Sequence, residues 1–196
     1  MTTKTKDMLE IRWHGRGGQG AKTAALLLGE AVLATGRYMQ AFPEYGAERM
    51  GAPIQAFNRV SEHPVTLHCH VTEPDVVVVI DPTLLDSVDV TEGLAAEGKL
   101  LVNTPMEPAR MREKLGLRGR QVYTVDASGI AVATIKRNIP NTPMLGALAK
   151  VSGVLDLKTL IEDSRKRLVK KFRAKPEVIE GNLEAMRRGY EEVRGE

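Results

Sequence analysis

Apolar and polar positions change rhythm repeatedly over the first two thirds of the chain. Strand-like runs, alternating or β-branched, fall at Leu9–Trp13, Tyr38–Phe42, Ile54–Val60, Val65–His70, Asp75–Ile80, Lys99–Asn103 and Gln121–Val125. Helical periods fill several gaps. "GAKTAALLLGEAVLATG" sets Ala24, Leu27, Leu28 and Val32 on one face, and Gly36 is positioned to close that helix. The run "DVVVVIDP" is β-branched throughout, which predicts a central strand buried on both faces and ended by Pro82. Strands alternating with helices predict an α/β fold whose mixed, largely parallel sheet is flanked by helices.

The segments Ile54–Val60 and Val65–His70 are separated only by "SEHP", which predicts a hairpin and is the reason for expecting a mixed sheet. "PEYGAERMGAP", Pro43 to Pro53, sustains neither period and reads as a loop. After Pro143 nothing strand-like follows. Leu157, Leu160, Ile161 and Leu168 recur at helical spacing, and a second helix from about Pro176 to Val193 carries Val178, Ile179, Leu183, Met186 and Tyr190 near one face. The expected organisation is therefore an α/β domain over 1–153 and a C-terminal helical extension over 154–196, packed on the domain or on a partner.

Composition narrows the function. The 196 residues are 42% hydrophobic and 27% charged, enough to bury a full core. A net charge of +3 with only 4% aromatics does not suggest a nucleic-acid groove. "MTTKTKDM" lacks the apolar centre of a secretory leader, and the apolar runs fall short of the ~20 residues of a membrane helix. A cytoplasmic protein without membrane partners is expected. Cys69 is the only cysteine, so this chain cannot supply four thiolates to an iron–sulfur cluster.

The densest candidate chemistry is "HGRGGQG", His14 to Gly20, where Gly15, Gly17 and Gly20 satisfy G-x-G-x-x-G after a strand and before a helix. Unhindered N–H groups and a helix amino end attract an anion, and Arg16 and Lys22 add charge. A dinucleotide site would also need an acidic residue ending the second strand. The candidate, Glu44, follows Pro43 inside the loop, and Arg12 and His14 make the first strand unusually polar. The other reading is that the glycines let another backbone press close.

Other groups collect at the carboxyl ends of the expected parallel strands: Asp81 with Pro82, Asn103 with Thr104, and Asp126 with Ser128. Asp81 and Asp126 also suit helix caps, and Asn103 and Thr104 suit turns. His68 and His70 flank Cys69 on an expected edge strand with polar side chains outward, and zinc would lack further ligands there. "SRKRLVKKFRAK" reads first as a solvated helix face, then as a dock for an acidic partner. No GxSxG, HExxH, P-loop or CxxC is present, so no self-sufficient active site assembles.

Four ordered stretches, "IRWHGRGGQGAKTAA", "AFPEYGAERMGAP", "PDVVVVIDPTLL" and "IPNTPMLGAL", closely resemble the gamma subunit of the multi-subunit pyruvate:ferredoxin oxidoreductases, the 2-oxoacid:acceptor oxidoreductases. The similarity runs from Ile11 to about Tyr190. It implies that thiamine diphosphate and magnesium lie on alpha and beta subunits. It also implies that 4Fe-4S clusters lie on a ferredoxin-like delta subunit, that coenzyme A is a co-substrate, and that an external ferredoxin or an NAD-linked subunit is the acceptor. The gamma chain itself holds no catalytic residue and no metal. Its resemblance-derived surface comprises Gly15, Arg16, Gly17, Gly18, Gln19 and Gly20, Glu44, Tyr45 and Arg49 from the following loop, and Asn141 and Thr142. This surface is expected to contact the catalytic subunits or to lie beside coenzyme A, with Arg16, Lys22 or Arg49 toward its phosphates.

In "NIPNTPMLGAL", Pro140 and Pro143 fix the start of an apolar helix, with Asn141 or Thr142 as its cap; an interface helix and a core helix both fit. Pyruvate is the expected 2-oxoacid. The alternatives are an aryl- or branched-chain 2-oxoacid enzyme using ferredoxin or NAD and, in another class, a free-standing nucleotide-binding α/β protein.

Overall fold

A computed structural model describes residues 7–44, 51–173 and 175–196. The strands are β1 (Met8–Arg16), β2 (Tyr38–Glu44), β3 (Pro53–Ser61), β4 (Val76–Val79), β5 (Lys99–Asn103), β6 (Gln121–Val125) and β7 (Arg194–Gly195). The helices are α1 (Ala21–Leu33), α2 (Pro108–Leu115), α3 (Ala127–Ile135), α4 (Asn141–Ser152), α5 (Leu157–Lys171) and α6 (Pro176–Glu192), with a 3-10 turn at Pro82–Asp86. Among the described residues one sheet holds seven strands in the order β2-β3-β1-β4-β5-β6-β7. β1, β4, β5 and β6 are mutually parallel, whereas β2, β3 and β7 join antiparallel.

The pleat sends alternate residues to opposite faces, and the two faces are covered differently. Ile11, Trp13, Val76, Val78, Leu101 and Val125 enter a large core with Leu28 of α1, Ile130 of α3, Leu145 and Leu148 of α4, Leu160 of α5 and Met186 of α6. Val77, Val79, Leu100, Val102 and Val122 face the other way, into a smaller core with Val90, Leu94 and Met111. Each valine of β4 is therefore buried, as a β-branched run covered on both sides should be.

Over β1, β3 and β2 the second face carries polar groups. Arg59 pairs with Glu10 at 2.9 Å and donates to Gln40 Oε1 at 3.0 Å and to the His70 carbonyl at 3.1 Å. A buried guanidinium is tolerable only when its donors are matched in this way.

Four expectations need correction. The loop expected from Pro43 to Pro53 is shorter, because Pro43 and Glu44 end β2, paired with Ala56 and Gln55, and Pro53 opens β3. Val65–His70 is not a strand, and there is no hairpin with Ile54–Val60, because β3 is already paired on both edges, with β1 and β2. Residues 62–74 instead cross the outside of the sheet as an irregular strap, tied by Gln40 Nε2 donating to the Leu67 carbonyl at 2.8 Å. A strand does follow Pro143: β7, too short for any periodicity, pairs Thr124 with Arg194 and Tyr123 with Gly195. Neither Asn141 nor Thr142 caps α4. Pro140 occupies that position, its ring-restricted φ already suiting the turn, and both polar residues lie inside the first helical turn.

The mixed sheet, the parallel centre and the helical region after Pro143 are as expected. Helices α4 and α6 touch through glycines: a Cβ on Gly146 would lie 2.0 Å from the Met186 carbonyl oxygen, and one on Gly189 would lie 2.0 Å from that of Pro143.

Candidate functional site

β1 delivers the glycine loop to the carboxyl edge of the parallel strands. There the chain must reverse into α1, and Gly18 (φ 97°) and Gly20 (φ 85°) take up left-handed conformations that side chains resist. The loop closes on itself through Gln19: its backbone N–H donates to the Arg16 carbonyl at 3.1 Å, and its Oε1 accepts from the Arg16 N–H at 2.8 Å. Gly17 N–H donates to the Ala52 carbonyl at 3.0 Å, fastening the loop to the segment before β3.

Asp81, just past β4, is the hub of this edge. Its Oδ1 accepts from the backbone N–H and hydroxyl of Thr83, at 2.9 and 2.7 Å, and its Oδ2 accepts from Gln19 Nε2 at 2.6 Å. Arg16 Nε stands 3.3 Å from the same Oδ2. Arg16 also donates to Thr83 Oγ1 and to the Gly51 carbonyl. Burial works to raise the Asp81 pKa, but the hydrogen bonds from Thr83 and Gln19 and the Arg16 charge outweigh it, and the carboxyl stays below its ordinary value.

The neighbouring strand ends repeat the theme. Asn103 Nδ2 donates to the Ile80 carbonyl and to Ser128 Oγ, both at 2.9 Å, while its Oδ1 accepts from Ser128 N–H at 3.1 Å. Asp126 caps α3, accepting from Gly129 N–H at 2.8 Å. Asn141 leans over the start of α1, and a Cβ on Gly20 would lie 2.7 Å from its Nδ2.

One pleat position earlier, His14, Gln55 and Glu44 form a row across β1, β3 and β2. They line a cavity of about 230 Å3 with Pro53, Ile54, Leu84 and Val88. His14 Nε2 accepts from Arg12 Nε at 3.1 Å, so the neutral ring carries its proton on Nδ1. Burial, with the Arg12 cation second, lowers the His14 pKa to about 4, against a weaker pull from Asp89. Glu44 pairs with exposed His70 at 3.2 Å.

The structure thus brings Gly15 to Gly20, Asp81 and Asn141 together. Thr142 points away, into α6, donating to Asn182 Oδ1 at 2.9 Å. Glu44 lies on the far side of β3, and Tyr45 and Arg49 lie outside the described residues. The sequence reading missed the joining roles of Gln19, Asp81 and Asn103. An Asp and an Asn ending apolar strands are the available signal, since a buried polar side chain must find partners.

The family model described as pyruvate ferredoxin/flavodoxin oxidoreductase matches residues 10–192. The chain belongs to that family. Within it, the chain is 53% identical over 189 residues to the pyruvate synthase subunit PorC of Thermotoga maritima, covering 96% of each chain. It is 44% identical over 186 residues to the common gamma subunit of the pyruvate/ketoisovalerate oxidoreductases of Pyrococcus furiosus, covering 95% of this chain and 97% of that one.

In three dimensions the chain resembles the crystal structure of the Thermotoga maritima pyruvate oxidoreductase subunit PORC, with a TM-score of 0.84 and 52% identity over 97% of this chain and 99% of that one. The fold also recurs in the 2-oxoglutarate:ferredoxin oxidoreductase of Magnetococcus marinus, solved with 2-oxoglutarate, coenzyme A and succinyl-CoA bound. There the TM-score is 0.75 at 24% identity, with 94% of this chain matching 30% of that one. Family membership implies redox cofactors, but one cysteine cannot furnish four thiolates. Among the described residues no three His, Cys, Asp or Glu side chains gather as a metal site.

Proposed function

We propose that this chain is the gamma subunit of a multi-subunit 2-oxoacid:acceptor oxidoreductase that converts pyruvate, coenzyme A and oxidised ferredoxin to acetyl-CoA, carbon dioxide and reduced ferredoxin. The observation that carries this reading is the near full-length identity of 53% to a PorC subunit. In this reading thiamine diphosphate, magnesium and iron–sulfur clusters reside on alpha, beta and delta subunits, and the complex works in the cytoplasm. No helix among the described residues is long and apolar enough to cross a membrane.

The chain's contribution is a shaped surface. At the carboxyl edge, Arg16, Gln19, Asp81 and Thr83 bind one another, so the loop from Gly15 to Gly20 is held rigid and offers mainly backbone to a neighbour. Pre-shaped backbone of this kind suits close subunit packing, because little order is lost on docking. A phosphate of coenzyme A would compete with Asp81 for Arg16. The 2-oxoacid is selected on another chain, a reading supported by the Pyrococcus furiosus relative, whose name makes one gamma subunit common to pyruvate and ketoisovalerate enzymes.

Reconstitution tests the assignment. The chain should copurify with larger subunits, and the complex, assayed against a panel of 2-oxoacids, should turn over pyruvate with coenzyme A. Replacing Arg16 and Arg49 by alanine should weaken assembly and leave the Michaelis constant for coenzyme A unchanged; a raised constant in an intact complex would assign the loop to phosphate binding. An isolated chain that binds NAD or a nucleotide in calorimetry and recruits no subunits would refute the whole reading.

A further inference from the structure

We infer that the groove between α1 and α5 docks an acidic amphipathic helix of a neighbouring subunit. The groove, about 360 Å3, is lined by Thr23, Leu26, Leu27 and Glu30 on one side and by Arg167, Leu168, Lys170 and Lys171 on the other. Leu26, Glu30 and Leu33 follow one another at helical spacing along the outer side of α1, and Leu26 is 39% and Leu33 51% exposed. Val169 of α5 is 46% exposed as well. Leu26, Leu27 and Leu168 line the groove and form its apolar floor, with Leu33 and Val169 exposed on the same two helices, and water covers such surface poorly.

Charge selects the occupant. Residues 164–175, "SRKRLVKKFRAK", hold seven basic side chains and no acidic one. Two of these cations are already neutralised: Arg165 pairs with Glu180, and Arg167 with Asp163 and with Glu30 across the groove. Lys166 and Lys170 have no ion pair among the described residues, and Lys171 rests its ammonium 5.3 Å from the centroid of the Phe172 ring. The groove's own carboxylate is therefore matched, and its surplus is positive.

A concave apolar floor between two helices, edged by lysines, is complementary to a third helix with leucine-like anchors at i, i+3, i+4 and i+7 and carboxylates on its flank. A flat lipid surface would leave the floor of the groove empty. The inference rests on the multi-subunit reading above, since it needs a neighbour in the assembled complex.

The test is carbodiimide cross-linking of the purified complex, which joins amines to carboxylates in contact. Lys170 or Lys171 should be linked to Asp or Glu residues three or four apart in a single segment of another subunit. In the same complex, the variant L26E/K170E/K171E should be retained on the order of tenfold more weakly at low salt, with an unchanged melting temperature, because all three side chains lie at the surface. Links confined to this chain or to a second copy of it, no link from either lysine, or equal retention of the variant would overturn the docking. So would sedimentation of the intact complex with phosphatidylserine vesicles that L26E/K170E/K171E abolishes. A wild-type chain that forms no complex refutes the subunit assignment and the docking together, whereas a complex with a bare groove refutes the docking alone.

Discussion

Gln19 and Asp81 meet across the carboxyl edge of the sheet, Gln19 Nε2 donating to Asp81 Oδ2 at 2.6 Å over 62 residues of sequence. The same Gln19 accepts from the Arg16 backbone through its Oε1, so one amide joins the glycine loop to the end of β4. Asp81→Ala should leave Gln19, Thr83 and Arg16 short of their acceptor and destabilise the fold by about 1–3 kcal/mol. The depressed Asp81 pKa gives a pH signature. Its stabilisation is present above the unfolded carboxyl value and is lost as pH falls through the folded one. Urea unfolding of wild type and variant should therefore converge in strong acid.

His14 sets a second pH dependence, in a higher window. Its folded pKa of about 4 lies below the ordinary 6.5, so the folded state refuses a proton that the unfolded chain accepts. The stability this residue contributes is full above pH 6.5 and falls as pH drops toward 4, by about 3 kcal/mol in all. His14→Gln keeps an acceptor for Arg12 Nε and has no proton to take up. Its stability curve should lack that part of the acid slope, as measured by denaturant midpoints at half-unit pH steps.

Gly20 is constrained twice, by a φ of 85° and by Asn141 Nδ2 standing 2.7 Å from where a Cβ would go. Gly20→Ala should cost about 1–2 kcal/mol from backbone strain, plus whatever displacing Asn141 adds. Pairing it with Asn141→Ala removes the two closest atoms and leaves the Asn141 Cβ at 3.1 Å, so it should recover most of the second part and leave the first. A double-mutant cycle on thermal unfolding reads the two contributions separately.

The contact between α4 and α6 makes a sharper forecast. Gly146→Ala or Gly189→Ala drives a methyl to 2.0 Å from a backbone carbonyl, which no rotamer change relieves. Each should destabilise by more than about 2 kcal/mol through forced helix separation. Loss of midpoint should be accompanied by faster amide exchange in α6. Gly15→Ala is the control: its Cβ would meet neighbours only at 3.5 Å and beyond, and stability should change little.

Much of the architecture was legible because burial writes a period into the chain. Val76–Val79 could hardly be anything but a central strand, and α1 and α6 carry their apolar faces openly. Val65–His70 misled for a physical reason. Its alternation is not read out as burial: Thr66 to His70 lie exposed on the outside of the sheet, held where the His70 carbonyl accepts from Arg59, with no ladder involved. β7 has only two residues and so no period to read. The candidate site was legible as a glycine loop and illegible as a network, because Asp81, Gln19 and Asn103 find partners set by topology. Nothing local in "LGAL" marks Gly146 as the point where a second helix backbone presses in.

β1 lies between β3 and β4, both made after it, and its loop hangs on an aspartate 62 residues downstream of Gln19. During synthesis on a ribosome the glycine turn must therefore emerge unshaped and wait until residue 81 has left the exit tunnel. The sheet edge that carries Gly15 to Gly20 takes its shape only after the first 81 residues of the chain are free to fold.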